Sequence, residues 1–163
     1  MSYARFGAMV LVSTAMMYVL MYLNTYTLDH VFFSQTRAWM AVIMGAAMAA
    51  VMILFMWSMY ENKRANTLIV AGSALGFVLA LWLVRSQASV DDISYMKAMI
   101  PHHSIAIMTS TRAHIRDPRV RDLADGIIEA QVREIGEMKA LINSLEESTP
   151  HDASGTPVRP ADP

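Results

Sequence analysis

The chain has no cysteine among its 163 residues. This absence excludes disulfide bonds and metal sites built on thiolates. Charge is also scarce, because charged residues make up 17% of the chain and the formal net charge is −1. The chain therefore lacks the basic balance that indicates a nucleic-acid partner. Apolar residues are in excess at 55%, with 15 methionines and a mean hydropathy of +0.33, which is typical of a membrane protein.

Three long apolar runs fill the first half of the chain, at about 6–23, 38–60 and 65–84. Each can form a helix that crosses ~30 Å of hydrocarbon, which takes about 20 residues. The first run is followed by "MYLNTYTLDH", which has no small-x-small cleavage site, so we expect a retained span instead of a signal peptide. These runs predict a three-span transmembrane domain over residues 1–85.

Basic residues near the span ends predict the orientation of the chain. Arg5, Lys63 and Arg64 lie on one side of three successive spans, and Arg37 and Arg85 lie on the other. Because basic residues are enriched in cytoplasmic loops, the majority places the N-terminus inside. We expect a bacterial inner-membrane protein whose C-terminal domain is periplasmic.

The second half predicts an extramembrane helical hairpin over residues 86–147. Its first helix is expected over residues 90–115, with a capping box formed by Ser89 and Asp92. Its second helix is expected to begin with Asp117 as N-cap and Pro118 in the first turn, and apolar residues then recur at the helical period to Glu147. The Pro-rich polar tail, residues 148–163, is expected to be disordered.

A hairpin of two helices is too small to bury a sufficient core by itself. We therefore expect two hairpins to associate into a four-helix bundle, which makes the protein a dimer or a higher homo-oligomer. The predicted fold class is all-α, with three transmembrane helices followed by this hairpin.

The stretch from Met99 to Met108, "MIPHHSIAIM", places two adjacent histidines among methionines. If the hairpin turns between Arg116 and Asp117, His103 lies level with Ala130 on the second helix. The same slab of the hairpin then holds a set of candidate metal ligands: Met96, Met99, His102, His103, Glu134 and Met138. For Glu134 three roles stay open, which are metal ligand, partner of a histidine and partner of an arginine.

Imidazole and thioether groups form a soft donor set without thiols. Such a set favours Cu(I) and, through imidazole, also suits Cu(II). A ferritin-like di-iron site would need Glu-x-x-His motifs, which the chain lacks. Zinc fits less well, because structural zinc sites usually include Cys. The expected cofactor is therefore copper.

Several further residues have both a metal-binding and a structural interpretation. Met108 packs in the core or binds metal, and His114 interacts with a helix C-terminus or binds metal. Asp29 and His30 form an entry ligand pair or stabilise their loop. Met40, Met44, Met48, Met52 and Met56 recur at every fourth position of the second span, where they either pack flexibly or pass Cu(I) along a relay. Of that series, Met44, Met48 and Met52 are the candidate secondary metal residues.

The segment "YMKAMIPHHSIAIMTSTRAHIRDPRVRDLADGIIEAQVREIGEMKALI" closely resembles the bacterial family catalogued as domain of unknown function 305. The resemblance lies in Met-Ile-Pro-His-His at residues 99–103 and in Gln-x-x-Glu-Ile-x-x-Met at residues 131–138. The three preceding spans look like the membrane-anchored branch of that family. The resemblance implies a ferritin-like helical arrangement and periplasmic copper binding linked to copper tolerance, with Met99, His102, His103 and Met138 as ligands. The chain departs from the family pattern at Thr109, where many members have Met.

The leading hypothesis is a non-enzymatic membrane protein of the cell envelope that captures or sequesters copper through His and Met. No nucleophile is paired with a base in the sequence, and no glycine-rich phosphate loop occurs. One alternative is an anchoring module without metal that docks another envelope protein. The other alternative is a subunit of a copper transfer or transport system that uses the methionines of the second span.

Overall fold

The computed structural model describes residues 2–148, and the predicted tail therefore lies almost entirely outside the described residues. Over this range the chain forms five α-helices and two short 3-10 helices, with no strand, which confirms the all-α class. The helices are α1 (Tyr3–Leu20), α2 (Gln35–Phe55), α3 (Lys63–Ser86), α4 (Asp92–Arg112) and α5 (Pro118–Ser148), and the 3-10 turns are Leu28–His30 and Trp57–Met59.

Helices α1, α2 and α3 are each long and apolar enough to cross a membrane. This confirms the three predicted runs and indicates a membrane protein. Helix α2 packs against both α1 and α3, so it lies in the middle of the three. It ends at Phe55 and is followed by the 3-10 turn Trp57–Met59. The next helix, α3, is capped by the Asn62 side chain, which accepts from the Ala65 N–H.

The small residues of the spans bring α2 close to α1. A Cβ on Gly45 would overlap the Thr14 hydroxyl of α1, so this glycine is needed for the close approach of the two backbones. By contrast, a Cβ on Gly72 or Gly76 of α3 would meet no atom within 4 Å. The Gly-x-x-x-Gly pair of α3 therefore makes no close helix contact within the described chain.

Helices α4 and α5 form the predicted hairpin, with small shifts at the ends of α4. The N-cap is Asp91, whose side chain accepts from the Ser94 N–H, and not Ser89 as the capping box predicted. Helix α4 runs through Pro101 and ends at Arg112, three residues earlier than predicted. The carboxylate of Asp117 accepts from the Arg119 N–H at the start of α5, as expected for an N-cap.

The hairpin has a hydrophobic core between α4 and α5. Its buried members are Met96, Ile100, Ile107, Ile135 and Ile142, and Phe32, Ile128 and Met138 pack against them. Phe32 belongs to the loop between α1 and α2, residues 21–34, which is called the α1–α2 loop below. The hairpin is therefore not two isolated helices, because this loop supplies part of its core.

Candidate metal centre

The two adjacent histidines of α4 point in different directions. The ring planes of His102 and His103 lie at 86°, and the ring centroids are 6.3 Å apart. His102 is exposed and His103 is half-buried, whereas Pro101 and Ser104 on either side are fully buried. The His pair thus straddles the border between the buried side of α4 and its exposed side.

His103 faces α5. Its Nδ1 atom lies 3.2 Å from Oε2 of Glu134, but the arrangement is not that of a hydrogen bond, and Nδ1 is a buried atom without a hydrogen-bond partner. Burial lowers the pKa of His103 and the carboxylate of Glu134 opposes that shift, so the imidazole favours its neutral form. The neutral form is the one in which an imidazole binds a metal ion.

This contact joins two residues that the sequence analysis placed in the same slab of the hairpin. Of the three roles left open for Glu134, the described contact is the one to a histidine. The neighbouring Arg133 instead pairs with Glu137 on the same helix, at 3.8 Å.

His102 faces the membrane domain. It lines a cavity of about 350 Å³ together with Met99, one turn earlier on α4. The other walls come from Tyr95, Ala98, Ile105 and Ala106 of α4, from Gln87 after α3, and from Ser34, Thr36 and Arg37 at the start of α2. This cavity brings an imidazole and a thioether together where the hairpin meets the spans.

Met96 and Met138 lie elsewhere among the predicted ligands. Met96 is 7% exposed and is part of the hairpin core, and Met138 packs against that core from α5. Met99 shares the cavity of His102, whereas His103 faces Glu134 on α5. The predicted ligands thus fall into three groups: Met99 and His102 at the cavity, His103 and Glu134 between α4 and α5, and Met96 and Met138 at the hairpin core.

Within residues 2–148, no three side chains drawn from His, Asp and Glu come close enough together to hold a metal ion. The described residues of one chain therefore form no cluster of three imidazoles and carboxylates.

The secondary candidates are dispersed. Met108 is half-buried on α4, and His114 is exposed directly after Ala113, the C-cap of that helix. The methionines of α2, Met44, Met48 and Met52, are half-buried along the middle helix of the membrane domain. They line one side of α2 as the period predicts.

Asp29 and His30 stabilise the α1–α2 loop. The Lys139 ammonium of α5 donates to Asp29 at 2.7 Å and, with the Thr27 side chain, lowers the pKa of Asp29 to about 2. Nδ1 of His30 lies 2.9 Å from the hydroxyl oxygen of Ser104. The loop-stabilising interpretation thus describes the contacts that the structure shows.

Ser104 is a residue that the sequence analysis missed. It lies on the core side of α4 between Ile100 and Ile107, and it is fully buried. Its position was a usable signal, because a hydroxyl on an otherwise apolar helix face needs a buried partner. That partner comes from a loop that is distant in sequence and could not be read from local spacing.

Comparisons with known proteins place the helical hairpin in a family. Residues 92–161 match the family described as "Domain of unknown function (DUF305)". The chain is 40% identical over 68 residues to "Uncharacterized protein L153" of Acanthamoeba polyphaga mimivirus, an alignment that covers 40% of this chain and 45% of that protein. The chain thus aligns with less than half of the length of this relative. No solved structure matches.

Proposed function

Because residues 92–161 make this chain a member of the DUF305 family, we propose that it is a membrane-anchored, non-enzymatic copper-binding protein. It captures or sequesters copper next to the membrane through histidine and methionine side chains and thereby contributes to copper tolerance. Copper(I) is the favoured ion, and the imidazoles also accommodate copper(II). The N-terminus lies in the cytoplasm and the hairpin lies outside the inner membrane of a bacterial cell.

The observation that carries this proposal is the cavity that Met99 and His102 line where the hairpin meets the spans. The next residue, His103, has Nδ1 beside the Glu134 carboxylate, and Nε2 is then the nitrogen that would bind copper. Imidazole and thioether side by side are donors that Cu(I) accepts. When bound, copper would act as a soft acceptor for imidazole and thioether at this point of α4, and Glu134 would orient the His103 ring.

A second copy of the chain completes the proposed site. Apolar side chains on one side of α5 remain exposed, namely Val120, Leu123, Ile127, Leu141 and Leu145. Their spacing places Gln131, Glu134 and Met138 between them on the same side of the helix. A second hairpin packed on this face would bury the apolar ends and bring a second set of His and Met donors to the centre. The spans hold both copies in one membrane plane, which favours this encounter.

The test is a titration of the purified full chain in detergent with Cu(I) against a competing chelator. We compare the unaltered chain with the double variant His102→Ala and His103→Ala. His114→Ala is the matched control, because it removes an exposed imidazole outside the helix. The proposal predicts a tight site that the double variant loses and the control keeps. Equal affinity in all three proteins would refute it.

A second candidate function is an anchoring module that docks another envelope protein without metal. The exposed apolar side of α5 favours it, because Leu123 and Leu141 are 65% and 54% exposed and such a face is typical of a contact surface. The same titration separates the two functions, since an anchoring module has no tight copper site.

A further inference from the structure

The buried hydroxyl of Ser104 joins α4 to two separate points of the α1–α2 loop. The backbone N–H of Tyr26 donates to Ser104 Oγ at 2.7 Å, and Nδ1 of His30 lies 2.9 Å from the same oxygen. Ser104 has no exposed surface, so water cannot replace either contact without opening the structure. These are cross-links between segments more than 70 residues apart in sequence.

The donors and acceptors of this cluster are consistent with one arrangement. Ser104 Oγ accepts from Tyr26 and has one hydrogen to donate, and a neutral imidazole accepts it at Nδ1. The other nitrogen, Nε2, then carries the hydrogen and faces the Asp29 carboxylate at 3.8 Å. Burial lowers the pKa of His30, the Lys139 charge adds to this shift, and Asp29 opposes it, in keeping with a neutral ring.

Ser104 directly follows half-buried His103 in sequence and lies on the core side of the same helix. The contacts of its hydroxyl therefore fix the rotation of α4 about its own axis. That rotation sets the directions in which His102 and His103 point. Phe32 of the same loop packs on the hairpin core, and Asp29 binds Lys139 on α5. The α1–α2 loop thus contacts both helices of the hairpin. Its contact with Ser104 of α4 is fully buried.

We infer that Ser104 and His30 are positioning residues that fasten the α1–α2 loop to α4 and so set the orientation of the two imidazoles. This inference rests on the proposed copper function for its consequence, but the fastening itself is a property of the metal-free chain. His30 acts here through Nδ1 as a structural acceptor and not as a metal ligand.

The residue types Ser, His and Asp also form hydrolase triads, which need a reachable serine oxygen. The side chain of Ser104 is fully buried, and its oxygen is already bonded to Tyr26. A substrate carbonyl cannot approach this oxygen, so we interpret the cluster as a structural contact between the α1–α2 loop and α4.

The experiment uses His30→Ala, His30→Asn and His30→Gln in the full chain in detergent. An Asn amide places a hydrogen-bonding group near the position of Nδ1, whereas Gln places one near Nε2. Ser104→Ala removes the shared hydroxyl. Its matched control is Thr109→Ala on the same helix, because the Thr109 hydroxyl bonds only carbonyls of its own helix.

The first measurement is hydrogen exchange of residues 21–34 without metal. We expect exchange at Tyr26 to be at least about tenfold faster in Ser104→Ala and His30→Ala, because each loses a buried contact of the loop. His30→Asn and Thr109→Ala should exchange like the unaltered chain, and His30→Gln should resemble His30→Ala. Unchanged exchange in Ser104→Ala and His30→Ala would overturn the inference.

The second measurement is Cu(I) affinity by chelator competition. A positioning role predicts weaker binding in His30→Ala, with recovery in His30→Asn. Equal loss in His30→Ala and His30→Asn would make His30 a ligand and would overturn the inference, as would full affinity in His30→Ala. If the unaltered chain binds no copper, the proposed function fails, and the exchange data alone decide whether Ser104 and His30 fasten the loop.

Discussion

Nδ1 of His103 on α4 lies 3.2 Å from the Oε2 atom of Glu134 on α5, without forming a hydrogen bond. This contact crosses the hairpin near the middle of both helices. With copper on Nε2 of His103, Glu134 would stand beside the other ring nitrogen, where a carboxylate orients many metal-binding histidines and increases their basicity.

We predict that Glu134→Gln weakens Cu(I) binding by about 10–100-fold, the loss typical of removing a group that supports a metal ligand. The amide keeps the size of the side chain but loses the charge that favours His103. Chelator competition measures the effect, and Glu137→Gln is the control, because Glu137 pairs only loosely with Arg133 on the outer side of α5. Unchanged affinity would contradict this role, and a loss as large as in His103→Ala would make Glu134 a ligand.

The contact between Asp29 of the α1–α2 loop and Lys139 of α5 should depend on pH. Hydrogen bonds from Lys139 and Thr27 lower the pKa of Asp29 from 3.8 to about 2. Because the folded pKa lies below the ordinary value, this contact stabilises the loop above pH ~4 and is lost as the pH falls towards ~2. Titration of the Asp29 carboxyl by NMR measures it.

Lys139→Met supplies the control for that titration. Without the ammonium group, the pKa of Asp29 should rise towards its ordinary value. A pKa near 3.8 in the unaltered chain would show that Lys139 does not hold Asp29.

The exposed apolar side of α5 should govern self-association. We predict that Leu123→Lys combined with Leu141→Lys converts a dimer into a monomer, because each change places a charge in the proposed contact. Light scattering in detergent gives the mass. Val132→Lys is the matched control, since Val132 is 56% exposed but lies on another side of α5. A mass unaffected by the double change would remove this face from the assembly.

The methionines of α2 should be dispensable for binding. We expect Met44→Leu, Met48→Leu and Met52→Leu together to leave Cu(I) affinity unchanged, because these side chains lie in the membrane domain and each exchange conserves volume at a cost below about 1.5 kcal/mol. The rate at which copper crosses the membrane of vesicles that contain the protein should also be unchanged. Slower movement in the triple variant would favour the transfer hypothesis instead.

Much of the fold follows from the sequence because hydrophobic period and length dominate it. The three spans and α5 were predictable within a few residues, since apolar runs and Pro118 mark them clearly. The end of α4 was less certain, because Ala113 and Ile115 continue the apolar pattern although the helix stops at Arg112. The N-cap was misplaced because Ser89 and Asp91 both carry suitable side-chain oxygens.

The candidate site was predictable in composition but not in arrangement. Sequence spacing placed Met99, His102 and His103 on neighbouring positions of α4, and this holds in the structure. It could not show that the two rings diverge, because that depends on what packs on each side of the helix. The contact between Ser104 and the α1–α2 loop could not be predicted either, because two membrane spans, α2 and α3, separate these segments in sequence.

The most direct test of the account is X-ray absorption at the copper edge of the Cu(I)-loaded full chain. The account predicts both sulfur and imidazole nitrogen in the first coordination shell, and it predicts that Met99→Leu removes sulfur while His102→Ala removes imidazole. A shell with no sulfur, or one that is identical in the unaltered chain and both variants, would contradict it.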